Sequence, residues 1–460
     1  MASYFEDTIA AIATPRGAGA IAILRLSGVD AYTIAGKLLR RADGAALSLD
    51  DSHRARRARL LDGTEDRPLD EVLVLPMLGP GTATGEDCVE IHCHGGAFLL
   101  DLALRATLAA GARAARPGEF TQRGFLNGRL DLCQAEAVAD LAEAGSQAGL
   151  HAAWQQLEGG LSQRIHRLRD QLLDTRALVE AHLDFPEEDL PAETQRELET
   201  AQASVVQEME ALAATFARGR LAREGVRLVL AGRPNVGKSS LMNALLGRER
   251  ALVSEVPGTT RDYLEEPLAI GDLQALLSDT AGIHVTRNVI EMAGVARSRE
   301  QIEAADILLV VFDGSKPLSA MDREILEDTA GRPRLLLRNK SDLDEAWSAS
   351  SLGATSRLLP VSAKTGSGLA PLCQAVLEML PADGETVVEK VVVTRARHHE
   401  ALTSAGAAAA RAGELLSAGG GLDLVACELQ AATAELDALV GLSTPEDVLD
   451  RIFERFCIGK

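Results

Sequence analysis

Eight consecutive residues, Gly232-Arg233-Pro234-Asn235-Val236-Gly237-Lys238-Ser239, combine glycines, one lysine and one hydroxyl in the pattern GxxxxGK[ST]. Glycines at these places let backbone N–H groups turn inward on phosphate oxygens. Lys238 supplies charge to the β and γ groups, and the Ser239 hydroxyl can ligate Mg²⁺. Asn235, Val236, Gly237 and Ser240 complete the cradle. The run VRLVLA before the loop reads as a strand and SSLMNALLG after it as a helix, which is the context a phosphate-binding loop requires.

Further along, Asp279-Thr280-Ala281-Gly282 closes another candidate strand, where an acid reaches the Mg²⁺ shell and a glycine N–H reports the γ-phosphate. Asn339-Lys340-Ser341-Asp342 follows the strand RLLLR. A carboxylate there accepts from the ring N–H and exocyclic amine of guanine, donors that adenine lacks. Such complementarity discriminates better than pocket size, because a buried carboxylate without its donors is costly. Ser362-Ala363-Lys364 adds a backbone N–H near guanine O6. Between the first two motifs lies Gly258-Thr259-Thr260-Arg261-Asp262, whose Thr260 can close over Mg²⁺ when the γ-phosphate is present. Order and spacing match the G domain of translation-factor-related GTPases. The residue after DTAG is Ile283, where many small GTPases carry a water-positioning Gln. An arginine finger contributes about 10³ to 10⁵ in rate, so a comparable positive charge must come from elsewhere. The Asn235 side-chain oxygen suits a monovalent cation; a hydrogen bond bracing the loop is the other reading.

Three kinds of sequence carry these motifs. From Asp7 to about Pro117, short apolar runs (AIAIL, VLVLP, CVEIH) alternate with helical stretches such as FLLDLALRATLAAGA, which predicts a mixed α/β domain. Beyond Leu130 strand signals vanish, and Leu161, Ile165, Leu168 and Leu172 form one apolar helical stripe. Strands return from Arg227 to about Leu380 in strict alternation with helices. After Thr394 the pattern is helical again, with Leu422, Val425, Leu429, Leu436 and Leu439 on one face. Two helical stretches around a self-contained α/β block predict a discontinuous helical domain into which a doubly wound P-loop domain is inserted. The expected boundaries are 1–120, 121–223, 224–382 and 383–460.

A chain of 460 residues divides into several domains, and 46% hydrophobic with 25% charged residues excludes wholesale disorder. Forty-seven Lys and Arg against 67 Asp and Glu leave a net charge of −20, which excludes a nonspecific grip on nucleic acid over the whole surface. Aromatics at 3% weigh against binding single strands by stacked rings. Two basic stretches remain, Arg54, Arg56, Arg57 and Arg59, and Arg105, Arg113, Arg116, Arg123 and Arg129, both read as solvated surface charge. Six cysteines without a CxxC pair predict reduced thiols. The acidic N-terminus and the lack of a long apolar run predict a soluble, cytoplasmic protein.

GRPNVGKSSLMNAL, PGTTRD, DTAG and NKSD occur together with DTIAAIATPRGAGAIAILRLSG, TGEDCVEIHCHGG, RPGEFTQRGFLNGRLDLCQAEAVADL and a terminal FCIGK. Over essentially its whole length the chain resembles the tRNA modification GTPase MnmE (TrmE) family. The resemblance implies a multidomain α/β plus all-α architecture: an N-terminal folate-binding domain that dimerises, a discontinuous helical domain, and an inserted G domain. It implies an enzyme that, with a flavin-dependent partner and a tetrahydrofolate one-carbon unit, installs an aminomethyl-type group on C5 of the tRNA wobble uridine. It further implies K⁺ at Asn235, Ser254, Val256 and Thr259, Mg²⁺ at Ser239 and Thr260, and nucleotide contacts running through Ser254, Glu255, Val256, Pro257, Gly258 and Thr259. Glu291 takes the place of the water-orienting glutamate; sequence alone makes it an acid on a helix face. Folate contacts carry over to Arg25, Glu90, Arg129 and Lys460, which read without the resemblance as ion-pair residues. His284 stands where family members often carry Arg.

His92, Cys93 and His94 lack the further ligands a zinc site needs. The terminal Cys457-Ile458-Gly459-Lys460 is a poor prenylation box; Cys457 reads equally as a functional thiol or as a buried structural cysteine. The alternatives from other classes are a ribosome-assembly or signalling GTPase without modification chemistry, and an adenine-specific P-loop ATPase.

Overall fold

The computed structural model describes residues 6–15, 17, 19–41, 43, 45, 52–64, 67–184, 192–248, 265–279, 301–352, 357–381 and 391–460. Seven N-terminal strands, β1 (Ile9–Ile12), β2 (Ile21–Ser27), β3 (Leu39–Arg40), β4 (Arg56–Leu61), β5 (Pro68–Met77), β6 (Cys88–His94) and β7 (Arg113–Ala114), form one sheet in the order β3-β4-β5-β6-β2-β1-β7. Alternation sets its two faces. Ala22, Leu24 and Leu26 point with Val89 and Ile91 into a core shared with the helices Ala31–Leu38 and Ala97–Ala109. Ile21, Ile23 and Arg25 take the opposite face, which the helix Glu119–Leu126 covers near β1, where Phe120 packs with Ile9 and Ala11.

The helix Gly160–Asp184 buries Leu161, Ile165, Leu168 and Leu172 completely, against Leu402, Val425, Leu429, Leu436 and Leu439 of the helices Ala396–Ser417 and Leu422–Val440. Helices on either side of the inserted block thus share one core. Leu422 is only partly buried at its edge.

The insert is a six-stranded sheet of β8 (Val226–Ala231), β9 (Glu265–Ile270), β10 (Leu273–Asp279), β11 (Ile307–Asp313), β12 (Arg334–Asn339) and β13 (Leu358–Pro360), ordered β13-β12-β11-β8-β10-β9. One face packs the helices Lys238–Arg248 and Leu369–Met379, and the other packs the helix Ala320–Asp328 and Trp347, so the sheet is doubly wound. The strict strand–helix alternation expected here fails at β9 and β10. These form an antiparallel hairpin whose two-residue turn places Gly271 at φ +60°, where a side chain is disfavoured.

A second correction concerns charge. Arg123 is not solvated: its side chain is fully buried, within 2.6 Å of Asp7, 3.1 Å of Glu86 and 3.3 Å of Glu119. Arg113 and Arg116 also pair with Glu119. Among the described residues no helix is long and apolar enough to cross a membrane.

Candidate functional site

The parallel strands deliver their C-terminal ends to one edge of the insert, and the motif residues follow those ends. After β8 the chain turns through Gly232–Gly237 and starts a helix at Lys238, so helix N-terminal N–H groups face the loop. Gly237, at φ +98°, is needed for two reasons: its backbone conformation disfavours a side chain, and a Cβ there would stand 2.4 Å from Asn339 Nδ2. Asn235 is exposed at φ +66° at the tip of the loop, and Val236 is fully buried behind it. Lys238 Nζ donates to the loop's own carbonyls, Gly232 O at 2.7 Å and Arg233 O at 3.2 Å. Burial lowers its pKa while the Asp279 carboxylate opposes that shift. Ser239 Oγ donates to Asp279 Oδ2 at 2.8 Å, which joins the hydroxyl and carboxylate of two motifs lying forty positions apart. Ser240 is exposed on the first turn.

Asn339 ties the loop at Ala363 to the glycine-rich loop at Val236. Its Nδ2 donates to Val236 O at 2.9 Å and its Oδ1 accepts from Ala363 N at 3.2 Å, with the residue 1% exposed. Asp342 stays exposed and accepts from Ser362 Oγ at 2.7 Å, a hydrogen bond that holds its carboxyl below the usual range. Lys364 is exposed beside them. Of the residues expected to hold a nucleotide, Lys238, Ser239, Asp279, Asn339, Asp342, Ser362 and Ala363 therefore converge. Ser254, Glu255, Val256, Pro257, Gly258, Thr259, Thr260, Thr280, Ala281, Gly282, Ile283, His284 and Glu291 lie outside the described residues.

Two partners were missed by reading the sequence. Arg233 Nε donates to both carboxylate oxygens of Asp322, at 3.1 and 3.0 Å, and fastens the phosphate loop to the helix Ala320–Asp328. Lys340 Nζ meets Asp313 Oδ2 at 2.7 Å. Neither acid belongs to a motif; Asp313 was signalled only as the polar residue ending the apolar run ILLVVF.

In the N-terminal sheet, Arg25 and Glu90 face each other across β2 and β6, with Arg25 Nε donating to Glu90 Oε1 at 2.9 Å. Arg25 Nη1 also donates to Gly459 O at 3.3 Å and its guanidinium lies 5.7 Å from the Phe120 ring centre. The structure thus gathers Arg25, Glu90 and the turn leading to Lys460, whose backbone N donates to Cys457 O. Arg129 is engaged elsewhere, donating from Nε to Thr82 O at 3.1 Å. Cys457 is exposed, so the buried structural reading of that thiol is wrong. His92 lies 3.3 Å from Glu90 and His94 2.7 Å from Asp70.

Two family models match the chain: "GTP-binding protein TrmE N-terminus" over residues 8–129 and "MnmE helical domain" over residues 132–457. Proteins named tRNA modification GTPase MnmE are similar end to end. That of Heliobacterium modesticaldum is 44% identical over 99% of both chains. That of Moorella thermoacetica is 43% identical over 99% of this chain and all of the relative. Among solved structures, the G domain of the T. maritima FeoB iron transporter is 26% identical over 34% of this chain and 98% of that one, at a TM-score of 0.27. With phosphate-loop and guanine-loop motifs converging on one sheet edge and relatives matching from end to end, the chain belongs to the tRNA modification GTPase MnmE family.

Proposed function

We propose that this chain is a K⁺-stimulated GTP hydrolase which, in a complex with a flavin-dependent partner, supports addition of a carboxymethylaminomethyl or aminomethyl group to C5 of the tRNA wobble uridine. The observation that carries the GTPase half is Asn339, which holds the phosphate loop and the Ala363 loop in one fixed relation. Lys238 leaves the carbonyls of its own loop to meet the β and γ phosphates, and Asp342, oriented by Ser362, reads guanine. Ser239 and Asp279 offer an oxygen-only donor set that fits Mg²⁺, with Thr260 as a further ligand. Mg²⁺, when bound, neutralises charge shared by the β and γ oxygens. The exposed Asn235 amide fits K⁺, together with Ser254, Val256 and Thr259. Glu291 orients the attacking water.

In the N-terminal domain, Arg25 is a cation for the glutamate tail of a tetrahydrofolate derivative and Glu90 an acceptor for the pterin amino edge, with Arg129 and Lys460 as further contacts. A folate carries both acid and donor groups, and the part-exposed Arg25–Glu90 pair offers a partner for each. The sheet face beyond the Glu119–Leu126 helix leaves Ile21 66% and Leu73 52% exposed, which supports a homodimer through this domain. The domains run 1–120, 121–223 with 383–460, and 224–382, and the protein works in the cytoplasm.

The test is mass analysis of wobble uridine in tRNA from cells lacking this protein, paired with GTP turnover by the purified chain in KCl and NaCl. Loss of the modified nucleoside together with faster turnover in KCl supports the whole reading. An unchanged nucleoside with intact turnover reduces the protein to a GTPase switch.

A further inference from the structure

Asp313 ends β11 directly beside Asn339, the first residue of the guanine-reading stretch. Its carboxylate is 1% exposed and both its oxygens are occupied. Oδ2 accepts from Lys340 Nζ at 2.7 Å, and Oδ1 accepts from Ser315 N at 3.0 Å and Ser315 Oγ at 2.6 Å. Burial alone would raise this carboxyl, but Lys340 and Ser315 hold it below its ordinary value, so it stays charged. Main-chain bonds fix the same corner. Gly314 N donates to Asn339 O at 2.8 Å, Trp347 Nε1 donates to Asp313 O at 2.9 Å, and Ala346 N donates to Gly314 O at 2.9 Å.

Lys340 is the residue so held. Its backbone sits at φ +64°, a region that non-glycine residues seldom adopt, and its side chain is 31% exposed beside Asn339 and Asp342. A lysine stem has many rotamers open to it when free, and ordering it costs entropy. Binding energy is lost if a ligand must order that stem on arrival, and is kept if the protein has ordered it beforehand.

We propose that Asp313 is a positioning residue for the nucleotide base: by anchoring the Lys340 ammonium it pre-orders the lysine stem against one face of the bound purine ring. This rests on the guanine-nucleotide reading above and deepens it. Asp313 would govern how tightly the base is held, whereas Asp342 governs which base is chosen. The two functions separate because Asp342 meets the hydrogen-bonding edge of the ring, while a stem against its face is indifferent to the edge.

The experiment is a double-mutant cycle in the full-length chain, titrating fluorescent methylanthraniloyl-GDP into wild type, Asp313→Asn, Lys340→Met and the double variant, with XDP competition for each. The expected result is a dissociation constant about tenfold higher in each single variant, a double variant no weaker than either single, and unchanged preference for GDP over XDP. Additive losses in the double variant overturn the proposal, because Asp313 then does not act through Lys340. Equal affinity of wild type and Asp313→Asn also overturns it while leaving the guanine reading intact. No saturable signal from wild type overturns that reading and this inference with it. Ser315→Ala, which removes one hydrogen bond from the same carboxylate without touching Lys340, guards against misfolding of the Asp313 variant. It should weaken binding in the same direction by a smaller factor, and an unaltered affinity counts against the proposal.

Discussion

The nucleotide site and the buried junction of the helical domain each hold a set of polar groups, arranged to opposite ends. At the junction, Glu136 meets His398 at 2.7 Å and Arg397 at 2.8 Å, and Asp140 accepts from Arg223 at 2.8 Å and Arg395 at 2.7 Å. Side chains from both halves of the discontinuous domain close on each other there, with Glu136 2% and His398 0% exposed. At the nucleotide site the bracing residue Asn339 is also buried, with both amide atoms hydrogen-bonded, but Asn235, Ser239, Asp342 and Lys364 are left exposed. A buried cluster whose charged groups pair with one another joins parts of the chain; one with a buried frame and an open rim is built for something the chain does not contain.

If the nucleotide site is built for a ligand, removing its charge should cost chemistry and little stability, even at the buried Lys238. Lys238→Ala is expected to slow GTP hydrolysis by about 10³-fold or more, with thermal unfolding of the nucleotide-free chain almost unchanged. A large fall in melting temperature with modest kinetic loss would make Lys238 a structural brace of its own loop, to whose carbonyls it bonds among the described residues. Asp342→Asn should reverse selectivity from guanine toward xanthine nucleotides by about 10² to 10³-fold, read by competition binding. Retained preference for GTP would mean that the Ser362 contact, and not a base, accounts for this carboxylate.

The Arg25–Glu90 pair lies between the two extremes, with side chains 28% and 14% exposed. Arg25→Ala is expected to weaken binding of 5-formyl-tetrahydrofolate by about tenfold. It should cost no more than about 1 kcal/mol of stability, the range of part-exposed ion pairs. The reverse pattern, unchanged folate affinity with a marked loss of stability, would class the pair with the junction.

The same contrast explains what could be read from sequence. The phosphate loop and guanine loop are contiguous strings whose chemistry depends on backbone conformation and spacing, so residue types alone revealed them. The stripe from Leu161 to Leu172 was legible because helical period and burial agree. The β9–β10 hairpin was missed because its turn signal is a single Gly271-Asp272 step inside a pattern that elsewhere alternates. Glu136 and His398 stand 262 positions apart, and Arg123 and Asp7 116 apart, so nothing local marks either pair. Asp313 and Asp322 were missed for a different reason: each supports a motif residue without belonging to the motif.

The smallest expected effect tests the closed cluster through pH. Burial lowers the His398 pKa below its ordinary 6.5, with Glu136 pulling the other way. Among the described residues the fully buried Nδ1 finds no partner, which suits a neutral ring donating from Nε2 to Glu136 and would leave a charged ring with an unsatisfied N–H. Burial would raise the Glu136 carboxyl, but His398, Arg397 and Arg395 together hold it below its ordinary 4.5. For both groups the unfolded chain binds a proton that the folded chain refuses, so unfolding free energy falls as pH is lowered. The His398 contribution is full above pH 6.5 and declines from there toward its lower folded value, and that of Glu136 declines from about 4.5 downward. The melting temperature should therefore drop by a few degrees between pH 7 and 5.5. His398→Gln, which keeps an amide donor for Glu136 without a titrating ring, should flatten that drop even though its melting temperature at pH 7 is lower than wild type. An equally steep drop in the variant would locate the acid sensitivity outside the junction and remove the ground for treating its imidazole as a neutral, closed element of the fold.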